Sequence, residues 1–350
     1  MSRWTYFLKR VLLAIPVVFL VITFMFVLLR MGPLDPVAAR LGPDATGADA
    51  LRMRERLGLN DPLWEQYLQF LQEMLVFEGQ SWVVQGDRHV RDVILSAGPP
   101  TLWLGFWAIL LPLFIGIPLG FYAGLNPNTW GDYVASAGGI LWYAMPNFWL
   151  GVMVLALMRS LDGGGTIPFD WYTFGPEINS VTGTPALDFF STTNIGPIPV
   201  PTGIDFNDLG RDIKRILPPA LVLGSASMGT ELRLSRTAVL ENVNSNYVET
   251  AKAKGLKTKK IVWKHIFRNA LIPLVPVISN EAFILIGGSV IIEVIFNING
   301  LGRIFFLAIT GGDVPLAGSL LFMFTLIIIG INILQDFLYT IIDPRVGYER

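Results

Sequence analysis

Runs of uncharged, apolar residues about as long as a bilayer's hydrocarbon is thick recur along this 350-residue chain, and nothing else in it constrains the fold as much. A helix needs roughly 20 such residues to cross a core about 30 Å thick. Val11 to Leu29, Thr101 to Ala123, Val134 to Met158 and Pro315 to Gln335 meet that need. Ile216 to Thr230 is shorter, and Ala270 to Ile292 is interrupted by Glu281. Counting both, the expectation is an all-α, polytopic membrane protein with six transmembrane helices. The composition agrees, since 52% of the residues are apolar and only 15% charged, which excludes a soluble globular fold. A formal charge of -1 leaves no footprint for nucleic acid. Without cysteine there are no disulfides, thiolate metal sites or cysteine nucleophiles, and two histidines, His89 and His265, are too few for a histidine-rich metal centre.

The first run follows Arg3, Lys9 and Arg10 but continues to Arg30 without a small-residue cleavage site, so an uncleaved helix is expected rather than a secretory signal. Loop charge then sets orientation. The stretch from Glu231 to Ala270 carries nine Lys and Arg against three Glu, a net of +6, and is expected to be cytoplasmic, with both termini on the same side. Met31 to Asp92 is net acidic and expected outside. Within it Leu63, Tyr67, Phe70, Leu71 and Met74 recur at helical spacing, predicting an amphipathic helix packed on its own protein. The loop from Arg159 to Arg215 is rich in turn residues and of unassigned purpose.

Chemistry concentrates in the basic loop, in Asn246-Tyr247-Val248-Glu249-Thr250-Ala251-Lys252-Ala253-Lys254-Gly255. Asn246 suits an N-cap, with Glu249 placed to complete a capping box, and Gly255 suits the left-handed residue that ends a helix. Tyr247, Val248 and Ala251 share one face and Lys252 and Lys254 the other, predicting a two-turn helix at the membrane surface. A second short helix is expected from Thr258, carrying Ile261, Val262 and Ile266.

Glu-x-Ala-x-x-x-Gly in a long loop before the penultimate span resembles the coupling motif of ABC importer permeases. Further landmarks extend the resemblance: Asp35-Pro36-Val37, Leu57-Gly58-Leu59, Asp61-Pro62-Leu63, Gly116-Ile117-Pro118-Leu119-Gly120, Pro146-Asn147-Phe148-Trp149-Leu150-Gly151, Leu217-Pro218-Pro219-Ala220, Arg268-Asn269-Ala270-Leu271, Gly300-Leu301-Gly302 and Asp343-Pro344-Arg345. Together they are similar to the first of the two permeases of dipeptide and oligopeptide ABC importers, a group that includes nickel and glutathione importers. The resemblance implies the type I importer permease fold with a structured external segment. Residues 1–95 would hold the first helix and that segment, 96–343 the transmembrane domain with its coupling loop 231–270, and 344–350 a cytoplasmic tail.

It further implies a prokaryotic plasma membrane, a second homologous permease, two cytoplasmic ATP-binding subunits and an external solute-binding protein. Asn246, Tyr247, Val248, Glu249, Ala251, Lys252, Ala253 and Gly255 would couple to an ATPase subunit, with Ala251 allowing close seating in its groove. No G-x-x-x-x-G-K-[ST] loop is present, because Gly42 to Gly47 runs on into Ala48-Asp49, so ATP and Mg are expected on the partners. The chain is not expected to be an enzyme or to hold a cofactor or metal.

Glu281 is a candidate for the pathway, because an acid at mid-bilayer costs about 2.5–3.5 kcal/mol and must face protein or water. Glu293, at the outer end of that span, is a candidate for a gate because Glu293-Val294-Ile295-Phe296 resembles a landmark of this family near the outer gate. Each has a plain alternative: a bond to a neighbouring helix for Glu281, and capping of the loop through Gly302 for Glu293. Arg233 and Arg236 are expected to snorkel from the end of the fourth span. A secondary transporter using Glu281 as an ion site would have no need of the basic docking loop. A membrane enzyme finds no His-Glu-x-x-His or Ser-x-x-Lys to work with.

Overall fold

The computed structural model describes residues 3–31, 37, 41, 46–56, 58–86, 88–162, 190–195, 198–284 and 290–342. Asp35, Pro36, Leu57 and the closing Asp343-Pro344-Arg345 lie outside the described residues, as does most of the loop after Arg159. The chain is mostly helical. Helices α1 (Arg3–Met31), α2 (Gly47–Arg56) and α3 (Leu63–Val76) precede α4 (Val90–Leu125). Helix α5 (Trp130–Tyr143) and α6 (Asn147–Asp162) lead to an antiparallel ribbon of β1 (Phe190–Ile195) and β2 (Ile198–Ile204), an addition to the all-helical expectation. Then come α7 (Phe206–Val243), α8 (Asn246–Ala253), the helical turns of α9 over 258–284, α10 (Val290–Ile295), α11 (Leu301–Gly311) and α12 (Val314–Ile342).

Four of the described helices are long and apolar enough to cross a membrane, namely Leu8–Val27, Val90–Leu125, Thr258–Ser279 and Val314–Phe337. A fifth qualifies if α5 and α6, bent by 96°, count as one span. The bend falls at Pro146, which has no amide to donate and whose ring disfavours a helical Met145. The expected span Ile216 to Thr230 is the middle of α7, whose charged flanks keep the whole helix from qualifying. At 38 residues α7 would extend about 57 Å, well beyond the hydrocarbon thickness.

Two expectations are corrected here. The stretch from Glu231 to Val243 is not loop but the last turns of α7. The helix expected from Thr258 does start there and carries Ile261, Val262 and Ile266, but it is not short: it opens α9 itself, which passes through a π turn at Ile261–Ile266 and a 3-10 turn at Ile272–Leu274 where Pro273 sits.

Helix α7 is the axis of the bundle and packs on α4 and α5. Close approach depends on Gly116, Gly120 and Gly124, one ridge of α4. A Cβ on Gly120 would collide with the carbonyl oxygen of Leu232, and one on Gly124 would stand 2.7 Å from Val239 Cβ. Small residues at this spacing let apolar helices touch backbone to backbone without any water to expel. Elsewhere Ile22 and Met25 of α1, Met74 of α3 and Phe322 of α12 bury one another, with Phe26 edge-on to Tyr67 at 5.3 Å. The amphipathic stripe expected over Pro62 to Phe77 is thus α3 lying on its own chain, and Arg10 pairs with Asp336 across α1 and α12 at 3.1 Å.

Candidate functional site

Helix α8 begins after Ser245, not after Asn246 as the capping-box pattern suggests. Ser245 is extended at the cap, with φ -86° and ψ 148°, and makes no side-chain cap bond. Its hydroxyl donates instead to Asn242 O at 2.6 Å, so the turn from α7 into α8 occupies the group that would cap. The other end is closed as a Schellman motif. Leu256 N donates to Ala251 O at 3.2 Å and Gly255 N to Lys252 O at 2.9 Å, with Gly255 at φ +72°. A Cβ on Gly255 would meet nothing within 4 Å, so backbone conformation alone requires glycine there.

The two faces of α8 differ sharply. Val248 is fully buried and Ala251 is 6% exposed. Both sit in a cluster with Ile117 and Phe121 of α4, Ala238 and Val239 of α7, and Ile261, Ile266, Ala270 and Leu274 of α9. Tyr247 packs against the same cluster, and its hydroxyl donates to Asn242 Oδ1. Asn246, Glu249, Thr250, Lys252 and Ala253 are exposed, as are Lys254 and Gly255. Ala251 therefore seats the helix on its own bundle, and the surface left for anything else is the opposite one. Lys257, Lys259, Lys260 and Lys264 are exposed beside it.

The base under α8 is braced by an ion pair absent from the sequence-level expectations. Arg236 of α7 donates to both carboxylate oxygens of Asp132 of α5, at 2.5 and 2.8 Å. Asp132 also accepts from Asn128 N at 3.0 Å and Ser136 Oγ at 3.1 Å. Arg236 is thus paired rather than snorkelling, while Arg233 lies over the Tyr143 ring at 5.6 Å. The sequence does carry a signal for Asp132: Thr129 is the N-cap of α5 and its hydroxyl accepts from Asp132 N at 3.3 Å, the Thr-x-x-acid signature.

The acids in the bundle take separate places. Glu281 on α9 is 5% exposed and lies close to Ser227 and Glu231 of α7, the latter a carboxylate fully buried with no hydrogen-bond partner among the described residues. Glu293 is fully buried elsewhere. It accepts from Thr101 Oγ1 at 2.9 Å and from Arg303 N at 2.8 Å, so it caps the first turn of α11, while Thr101 Oγ1 accepts from Leu301 N at 2.8 Å. Gly300 and Gly302 leave it room, since a Cβ on Gly300 would stand 2.5 Å from its Oε2.

Asp313, before α12, is a further buried acid that sequence reasoning misses. One of its oxygens accepts from Ser81 Oγ at 2.6 Å and from the amides of Trp82, Val83 and Val84 at 3.0 to 3.1 Å. Its only sequence signal is an acid just before a helix with proline near its start.

Among the described residues no group of three His, Asp or Glu side chains could hold a metal ion. His89 is exposed, with Nδ1 3.4 Å from Glu78 O.

Comparison with known proteins bears on what this arrangement serves. The model of the family described as binding-protein-dependent transport system inner membrane component matches residues 116–348, and that of the N-terminal part of such membrane components matches 3–90. The oligopeptide transport system permease protein AppB of Bacillus subtilis (strain 168) is 30% identical, over 98% of this chain and 99% of its own. The dipeptide transport system permease protein DppB of Alkalihalophilus pseudofirmus is 29% identical with the same coverage, and the glutathione transport system permease protein GsiC of Escherichia coli (strain K12) is 28% identical, also over 98% and 99%.

Proposed function

The chain belongs to the inner membrane components of binding-protein-dependent transport systems, and from that premise we propose that it is one permease of an ABC importer for dipeptides or oligopeptides. It is a multi-pass membrane component, not a catalytic subunit. Membership implies a solute-binding protein and an ATPase as partners. In this proposal the ATPase is two cytoplasmic subunits that bind ATP and Mg, a second homologous permease completes the pathway, six spans cross the bilayer, and both termini are cytoplasmic. Peptides are favoured as substrates because AppB and DppB carry peptides in their names at about 30% identity along the whole chain.

One observation carries the mechanism: α8 has a buried face locked into the ends of α4, α7 and α9, and an exposed face with none of the described residues packed upon it. A helix held in this way moves only with the bundle, so a push on Asn246, Glu249, Thr250 or Ala253 is a push on three helices at once. In the proposed cycle the ATPases close on ATP and draw the α8 helices of the two permeases together, and the bundle opens to the far side to receive peptide from the binding protein. Hydrolysis reverses the stroke. The ATPases must bind nucleotide more tightly in one of the two states, since ligands shift only equilibria whose states they distinguish.

The test uses the reconstituted complex. Gly255→Val forces a β-branched residue into the left-handed region, at a cost of about 1–2 kcal/mol or more, and unwinds the end of α8. Stimulation of ATP hydrolysis by the peptide-loaded binding protein should be abolished while insertion of the chain is unchanged. Stimulation at the parent level would end the docking proposal.

A further inference from the structure

Between the first two spans, α2 and α3 stand over a cavity of about 370 Å³. That is within the range of about 300–1,000 Å³ usual for small-molecule sites. Its floor is the turn through Trp82 together with Pro315 of α12. The floor is rigid, because the amides of Trp82 and Val83 and Leu316 N, next to Pro315, all donate to Asp313. Gln66, on the α3 wall, is held by bonds from its Nε2 to Leu59 O at 3.2 Å and Asp61 O at 2.7 Å. The floor and the Gln66 part of the wall are therefore fixed before anything enters.

Three charged side chains line the cavity, Arg56, Glu73 and Glu78. Arg56, the last residue of α2, lines one wall and Glu78 lines the cavity beyond α3. Among the described residues neither belongs to an ion pair. Both side chains are exposed at the cavity, and a ligand carrying both charges can pair with each of them. Gln69 adds an amide, and Phe70, Trp82 and Pro315 add apolar surface.

We propose that this cavity binds a small zwitterionic solute, a di- or tripeptide with free termini. The carboxylate pairs with Arg56, where a guanidinium offers two parallel N–H donors. The ammonium faces Glu78, the peptide bond meets Gln69, and a side chain rests on Phe70 and Trp82. The choice of a peptide rests on the import function proposed above; the cavity and its two unpaired charges do not.

The complex without its binding protein, in nanodiscs, is titrated with alanyl-phenylalanine and with the same peptide acetylated and amidated, and binding is read by saturation-transfer NMR. Arg56→Gln keeps the volume and removes the cation; Gln69→Trp fills the cavity from its rim. The free dipeptide should bind saturably to the parent and the blocked peptide should not, and each variant should weaken binding at least tenfold. Should Gln69→Trp fail to insert, Arg56→Gln decides alone. Equal binding of the blocked peptide, or parent-like binding in Arg56→Gln, overturns the proposal. So does a cavity indifferent to peptide whose Arg56→Gln change weakens the binding protein's attachment, since its occupant would then be a loop of that protein. Peptide uptake by the whole complex is measured alongside. Absent uptake with intact cavity binding sinks the transport function and leaves this inference standing, and intact uptake with no cavity binding does the reverse.

Discussion

Asp132 and Arg236 illustrate what a single residue contributes in this bundle. A carboxylate almost wholly buried at the start of α5 is tolerable only because a guanidinium 104 positions along the chain meets both of its oxygens. Removing one partner strands the other, which makes the two single changes worse than the double one. Arg236 keeps part of its surface in solvent, so the pair should be weaker than a fully sequestered one. In a cycle of Asp132→Asn, Arg236→Gln and the double variant, unfolded by SDS in mixed micelles, a coupling energy of about 1–3 kcal/mol is expected. Additive effects of the two changes would show that the brace holds nothing. The same pairing shows what is and is not legible at this scale. Thr129 and Asp132 are close in sequence and announce a helix start; Arg236 is distant, so local sequence suggests only a cation at a helix end, reaching for solvent. Asp313 is harder still, because the amides of Trp82, Val83 and Val84 that it gathers lie some 230 positions away and carry no side-chain signature.

Elements are legible where hydrocarbon thickness dictates them and blurred where packing does. The runs in α1, α4 and α12 stand out because a stretch of about 20 uncharged residues is rarely anything but a bilayer crossing. Their edges do not. Helix α4 starts at Val90, since Arg91 and Asp92 are exposed and a helix does not stop where its apolar stretch does. In α7 the apolar stretch is short because Glu231, Arg233 and Arg236 follow it within the same helix, the two arginines placed by a ring face and an ion pair, which a hydropathy window cannot see. The ridge of Gly116, Gly120 and Gly124 is in plain view in the sequence, but its meaning emerges only against α7. Gly120→Ala places a methyl on the Leu232 carbonyl oxygen and should destabilise the α4 and α7 contact by about 1–3 kcal/mol, as overpacking does. Gly138→Ala, where a Cβ meets nothing within 4 Å, is the control and should be silent. Thermal aggregation of the two variants in detergent decides the matter, and equal midpoints would mean that the helices do not need the close approach.

At the scale of the whole molecule the question is which buried charges belong to transport and which to architecture. Glu293 is committed to α11, Asp313 to the segment that packs on α12, and Asp132 to Arg236, so each holds two elements in one arrangement. Glu281 is the one for which a test is needed, because it faces α7 from α9, the two helices that carry α8 between them. A carboxylate facing the route would discriminate among cargoes, drawing lysine-containing peptides and repelling glutamate-containing ones, with each tenfold of preference corresponding to about 1.4 kcal/mol. A carboxylate shut away beside Ser227 and Glu231 instead affects how α7 and α9 slide, which is the same for every cargo. Glu281→Gln is therefore expected to change uptake of acidic, neutral and basic dipeptides by one common factor, and Glu231→Gln to do likewise. Uptake assays with a charge series of peptides, each delivered at saturating binding protein, read this directly. If the Glu281→Gln complex loses basic peptides selectively while acidic ones are carried as before, the carboxylate meets the cargo, and the space between α7 and α9 is part of the road rather than of the engine mount.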